Sequence, residues 1–123
     1  MMGSYGTSSS FSRGQAGFDM VFHAAGILQD SLISNQTQAS IRAVVAPKAA
    51  ANIMAVTAMM PVQQLVLFSS VASTVGAAGQ GNYVAANAVL DGWALAGRRQ
   101  GTAVSSIQWG AWASAGEYEC GGL

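Results

Sequence analysis

Three short apolar runs, separated by two longer segments rich in small residues, constrain this 123-residue chain more than anything else in its sequence. FDMVFHAAG from Phe18, QQLVLFSS with its centre at Gln64–Phe68, and AVSSIQWG from Ala103 each read as a buried strand that runs into small or hydroxyl-bearing residues. Ser40–Met60, dense in Ala, Val, Ile and Met, predicts a helix, with Pro47 either as a kink or as its first-turn residue, and Pro61 ends it. Ser73–Gly81 holds three glycines and predicts a loop. Asn82–Gln100 predicts a second helix, with Arg98 and Arg99 at the negative end of its dipole and Gly101 as its stop. Strands joined by connections this long pair in parallel through right-handed crossovers. The expected fold is therefore α/β, a partial Rossmann-like, doubly wound parallel sheet. Residues 1–17, rich in Ser and Gly, form an expected flexible leader, 18–116 the domain and 117–123 a tail.

The low charge fits that architecture. Only 8% of residues are charged while 51% are hydrophobic, against roughly a quarter charged in an average domain. A membrane span would need a run of about 18 apolar residues. The greasiest region, Ile41–Ala72, is interrupted by Pro47, Lys48, Asn52, Pro61, Gln63 and Gln64. Elements buried on several sides, or a domain stripped of its polar outer elements, explain the deficit instead. A net charge of zero offers no basic patch for nucleic acid. Cys120 has no second cysteine to pair with, and with His23 alone beside it no zinc set can be built. No secretory signal is visible, which points to the cytoplasm or an organelle interior.

In an open parallel sheet the ligand sits outside the carboxyl ends of the strands. HAAG, SSVAS and QWGAW occupy those ends. Tyr83 and Asn87, four apart at a helix start, share one face. Ser70 ends the preceding strand on the same sheet edge, and Lys48 approaches from the neighbouring crossover. Together they make chemical sense. A phenol is a usable acid, a nearby ammonium favours its phenolate, and a hydroxyl can stabilise charge on a reacting carbonyl oxygen. Other polar and aromatic positions have plainer explanations. Ser69 is a strand-end residue, His23 a satisfied core or strand-end histidine, Met54–Met60 core filling, and Trp93 a side chain packed on the sheet.

At VFHAAGILQDS, the APK of Ala46–Lys48, LVLFSSVAS, the GQGNYVAANAVLD of Gly79–Asp91 and SIQWGAW, the sequence resembles the ketoreductase domains of polyketide and fatty-acid synthases. These are a branch of the short-chain dehydrogenase/reductase family, and the match spans nearly all of Val21–Trp112. The resemblance implies Tyr83 as proton donor, Ser70 as the second hydroxyl on the substrate carbonyl, and Lys48 and Asn87 as the family's lysine and asparagine. It further implies a cofactor-facing turn at Ala24, Ala25 and Gly26, and a nicotinamide-bordering loop at Trp109 and Gly110. The implied cofactor is NADPH, and the implied partners are an acyl carrier protein domain and other synthase domains. The leucine-aspartate-aspartate motif of B-type ketoreductases appears as Leu28-Gln29-Asp30, which puts Asp30 on the substrate side. The tryptophan expected in A-type domains is absent, with Val75 near its position, so the lean is towards B-type, against which Ala85 replaces a proline often seen in B-type enzymes.

One departure stands out: nothing in the chain resembles the glycine-rich TGGxGxxG turn that cradles a dinucleotide's pyrophosphate. The expectation is thus a partial ketoreductase domain, the C-terminal half of a short-chain dehydrogenase fold. A non-catalytic remnant or structural half-domain is the alternative. A stand-alone dehydrogenase would normally carry lysine where Asn87 stands.

Overall fold

The structure, a computed structural model, describes residues 17–49, 53, 55, 57 and 62–111. Strands β1 (Phe18–His23), β2 (Val62–Ser70) and β3 (Val104–Trp109) form one parallel sheet in the order β1-β2-β3. Helix α1 (Gln38–Lys48) follows β1, preceded by a 3-10 turn at Ile33–Asn35. A four-residue helix α2 (Ala72–Val75) and the long helix α3 (Gly81–Arg99) lie between β2 and β3. All but Gly17 of the expected leader 1–17 lies outside the described residues, as do the tail 117–123 and the methionines of Met54–Met60.

Sequential strand order decides where the helices go. Both crossovers step the same way across the sheet, and right-handedness then puts both on the same face. Side chains of β2 alternate accordingly. Leu65 and Leu67 point into that helical layer and meet Leu90 and Ala94 of α3, with Val104 of β3 completing the cluster. Trp93 packs against this cluster, as expected from the sequence. Burial of each large aliphatic side chain contributes on the order of 2 kcal/mol. The opposite face carries Phe18, Met20 and Phe22 of β1, Val66 and Phe68 of β2, and Ile107 and Trp109 of β3. Phe22, Phe68 and Trp109 stack in a row there, with centroid separations of 6.3 and 5.3 Å.

Two expectations are corrected. The single helix expected over Ser40–Met60 begins earlier, at Gln38, and α1 stops at Lys48. Thr37 starts it, exchanging hydrogen bonds with Ser40 in a capping box. Pro47 is neither a kink nor a first-turn residue but sits in the last turn. Its ring lacks an N–H and crowds the preceding turn, so the helix closes one residue later with Ala49 N–H on the Ala46 carbonyl. Ile53, Ala55 and Thr57 are helical again. The loop expected over Ser73–Gly81 is partly helix. Ser70 Oγ accepts the Ala72 N–H at 3.2 Å and starts α2. The chain then turns at Gly76 (φ 80°) and Gly79 (φ 70°), where a side chain would be strained.

A carboxylate holds these pieces together. Asp91 of α3 accepts from Ser73 Oγ and Ser106 Oγ, both at 2.6 Å, and from Gln108 Nε2 at 2.8 Å. It thereby ties α2 and β3 to α3. Burial works to raise its carboxyl, but the hydrogen bonds from Ser106, Ser73 and Gln108 outweigh this and hold it below the usual Asp value. An Asp depressed in the folded state stabilises above its unfolded value, and that stability is lost as pH falls through the folded value. Asp91→Ala is expected to cost about 2 kcal/mol at neutral pH. In urea unfolding followed between pH 7 and pH 3, the wild type should lose stability that Asp91→Asn does not; parallel curves would show that the carboxylate's charge is immaterial.

Candidate active site

The carboxyl ends of the three strands open onto a cavity of about 890 Å³. Ala24 and Gly26 line it from beyond β1, Ser69 and Ser70 from β2, and Trp109 and Gly110 from β3. Lys48 enters from the end of α1, and Gln80 and Tyr83 from the start of α3. Because the strands run parallel, the residues that end each of them share this rim. The α3 start returns to it because the β2–α3 connection is short.

Lys48 is 5% exposed. Its Nζ donates to the Phe68 carbonyl at 3.1 Å and lies 5.6 Å from the centroid of the Tyr83 ring, within cation–π reach. A Cβ at position 26 would stand 3.0 Å from Lys48 Cε and 3.3 Å from Nζ, so Gly26 makes room for the lysine. Burial holds the Lys48 ammonium below the ordinary lysine value. Beside it, His23 closes β1 almost fully buried, the core or strand-end histidine expected; its ring is hydrogen-bonded to the Lys48 backbone, while Nε2 has no partner among the described residues, so it is satisfied on one side only. Burial, and next the charge of Lys48, lower its pKa and keep the imidazole neutral.

Tyr83 is partly buried in the first turn of α3. Asn87, one turn on, is wholly buried; its Nδ2 donates to the Tyr83 carbonyl at 2.9 Å, and its Oδ1 has no partner among the described residues. Ser69 Oγ donates to the Asn87 carbonyl at 3.2 Å and so joins β2 to α3. Ser70 accepts through its oxygen from Ala72 N–H, which leaves its own proton free to donate.

Of the residues singled out from sequence, Lys48, Ser70, Tyr83, Ala24, Gly26, Trp109 and Gly110 therefore meet at one cavity. Asn87 lies one helical turn beyond Tyr83 and off the lining, Ala25 is exposed and off it, and Asp30 is exposed and also off it, accepting at 2.9 Å from Nε2 of Gln80, which does line the cavity. Sequence reasoning missed the Phe68 carbonyl as the lysine's anchor, and it missed Asn82. Asn82 carried a readable signal, a polar residue at the helix start immediately before the tyrosine.

The family model of the KR domain matches residues 7–114. The chain belongs to the KR-domain family. Polyketide synthase GfsA of Streptomyces halstedii is 45% identical over 98 residues, covering 78% of this chain and 1% of that synthase. A phenolphthiocerol-synthesis type I polyketide synthase of Mycobacterium marinum is also 45% identical over 98 residues, covering 78% of this chain and 5% of that protein. Among solved structures, the first ketoreductase of the tylosin polyketide synthase superposes with TM-score 0.77 at 40% identity, covering 85% of this chain and 24% of that one. An A-type ketoreductase of a modular polyketide synthase gives 0.73 at 38% identity, over 77% and 21% of the respective chains. The chain thus spans under a quarter of these ketoreductases and corresponds to part of a KR domain. KR domains are oxidoreductases of Rossmann-like fold, and their relatives use a nicotinamide cofactor.

Lys48 gives a test that needs no activity. Below its unfolded value a lysine with a depressed folded value is buried at a cost, and the cost shrinks as pH rises towards the ordinary lysine range. Lys48→Met is therefore expected to raise Tm by a few degrees at neutral pH. Its advantage should fade above about pH 10. A lower Tm at neutral pH would mean that the bond to Phe68 outweighs the burial cost.

Proposed function

We propose that this KR-domain chain supplies the catalytic side of an NADPH-dependent ketoreductase, which converts a β-ketoacyl thioester on an acyl carrier domain to the β-hydroxyacyl thioester in polyketide biosynthesis. One observation carries the reading: a buried ammonium, Lys48 Nζ, stands against the Tyr83 ring on the same cavity wall system as the free hydroxyl of Ser70. A cavity built only for apolar cargo would have no use for a desolvated lysine there.

The residues fit the reactive end of a dinucleotide. Trp109, 38% exposed, borders the cavity with Gly110, and Ala24 and Gly26 leave the opposite wall without bulky side chains. They do not fit its pyrophosphate, because no glycine-rich turn of the family type occurs in the sequence. When bound, the nicotinamide supplies a hydride to the carbonyl carbon. The Ser70 hydroxyl donates to the carbonyl oxygen and stabilises the charge that grows on it. The Tyr83 hydroxyl gives its proton to that oxygen, so the ketone gains one hydride and one proton and leaves as an alcohol. Lys48, with one of its protons fixed on Phe68, faces the phenolate so formed with its positive charge. Asn87 holds the first turn of α3 through the Tyr83 carbonyl and thereby sets where the phenol stands. Asp30, held by Gln80 of the lining, belongs to the substrate side. An acyl carrier domain and other synthase domains as partners agree with the modular polyketide synthase among the similar structures.

In the full-length protein, NADPH oxidation with a β-ketoacyl thioester should fall about 10²–10⁴-fold for Tyr83→Phe. For Ser70→Ala a fall of about 10²–10³-fold is expected. Equal rates for wild type and Tyr83→Phe would remove the tyrosine from the chemistry and with it this assignment.

A further inference from the structure

Between β1 and α1 the chain crosses the cavity mouth as a loop whose apolar side chains are largely in solvent. Leu28 is 59% exposed, Leu32 66% and Ile33 87%. Burial therefore contributes little to fixing this loop, yet Ile27 and Leu28 line the cavity. Its position has to come from polar contacts; Gln80 Nε2 holds Asp30 at 2.9 Å, and the others gather around one side chain. Asn82, 4% exposed, donates through Nδ2 to the Gln29 carbonyl at 2.9 Å and to Gln36 Oε1 at 3.2 Å. Its Oδ1 accepts the Tyr83 N–H at 2.8 Å, one of the donors left without an intrahelical partner at a helix start. Gln36 extends the tether, donating to the Ser31 carbonyl at 3.1 Å and accepting from Ser40 Oγ at 2.8 Å. Ser31 N–H closes it on the Gly79 carbonyl at 2.7 Å.

We propose that Asn82 is a positioning residue that ties the mouth loop, residues 27–36, to the helical turn carrying Tyr83, and so sets where the substrate's acyl chain lies relative to the phenol. Each half of the amide has a separate duty. The NH₂ group holds the loop; the oxygen caps the turn. Gln80, which caps α3, makes a second link by donating to Asp30, but only the Asn82 side chain bonds both to the loop and to the Tyr83 N–H. The mouth loop bears Ile27, Leu28 and Asp30, so loosening it disturbs substrate placement before it disturbs proton transfer. The statement about substrate rests on the reductase reading; the tether itself does not.

Two variants separate the duties. Asn82→Ala removes both. Asn82→Asp keeps an oxygen for the Tyr83 N–H, where the helix dipole welcomes a negative charge, but places that charge against the acceptors of Gln29 and Gln36. Hydrogen exchange of the full-length protein, read by mass spectrometry, should quicken about tenfold across 28–36 in both variants, with β2 unchanged. In the reductase assay, KM for the ketoacyl thioester should rise about tenfold while kcat stays within about threefold. Wild-type exchange in Asn82→Asp would overturn the tether and leave only a helix cap. Equal quickening in β2 would make Asn82 a general fold residue, and a fall in kcat at unchanged KM would place it with the chemistry; either result overturns the proposal. Should the wild-type protein fail to reduce the thioester, the reductase reading falls, while the exchange measurement still decides the tether.

Discussion

Parallel hydrogen bonding of β2 to both neighbours is the constraint from which the site follows. Leu65 and Leu67, pinned in register between β1 and β3, anchor the helical layer, and the same register delivers His23, Ser70 and Trp109 to one edge of the sheet. A slip of one residue in β2 would turn Leu65 and Leu67 away from α3 and move Ser70 off the cavity. Packing and chemistry are therefore specified by one register.

Against that scaffold, the polar groups fall into two sets with different energetic logic. Asp91, Asn82 and Ser69 link elements through short hydrogen bonds whose partners are present, and they stabilise. Lys48, His23 Nε2 and Asn87 Oδ1 are buried groups that a stability-driven design would avoid: an ammonium taken from water and two polar atoms without partners among the described residues. All three lie around Tyr83 or the lysine that faces it. Unfavourable burial is thus gathered beside the cavity that Lys48 and Tyr83 line, an arrangement for which the proposed reductase chemistry would account.

The sequence laid open the order of elements, because strand and helix periods are local and the glycines and prolines punctuate them. It left the exact limits of α1 and the presence of α2 unread. Pro47 was visible, but whether a proline begins, bends or ends a helix depends on what the following residue is needed for. Here Lys48 must turn towards the sheet, and the helix stops to let it. The four residues of α2 form because Ser70 accepts the Ala72 N–H and Ser73 reaches Asp91, eighteen positions away, a contact no local window contains.

What the chain's letters determined alone was the alternation of strand and helix, and from it parallel pairing, the sheet edge onto which the cavity opens, and the identity of the phenol, hydroxyl and ammonium brought there. These follow from side-chain period and chain chirality, which act over a few residues. Only the folded arrangement decided that Asn87 stands off the cavity lining, that Gly26 exists to admit Lys48, and that Asn82 joins the mouth loop to the helix. Such facts depend on distances between residues more than twenty positions apart in most cases, and these are set by how the layers pack, after the local preferences have been satisfied.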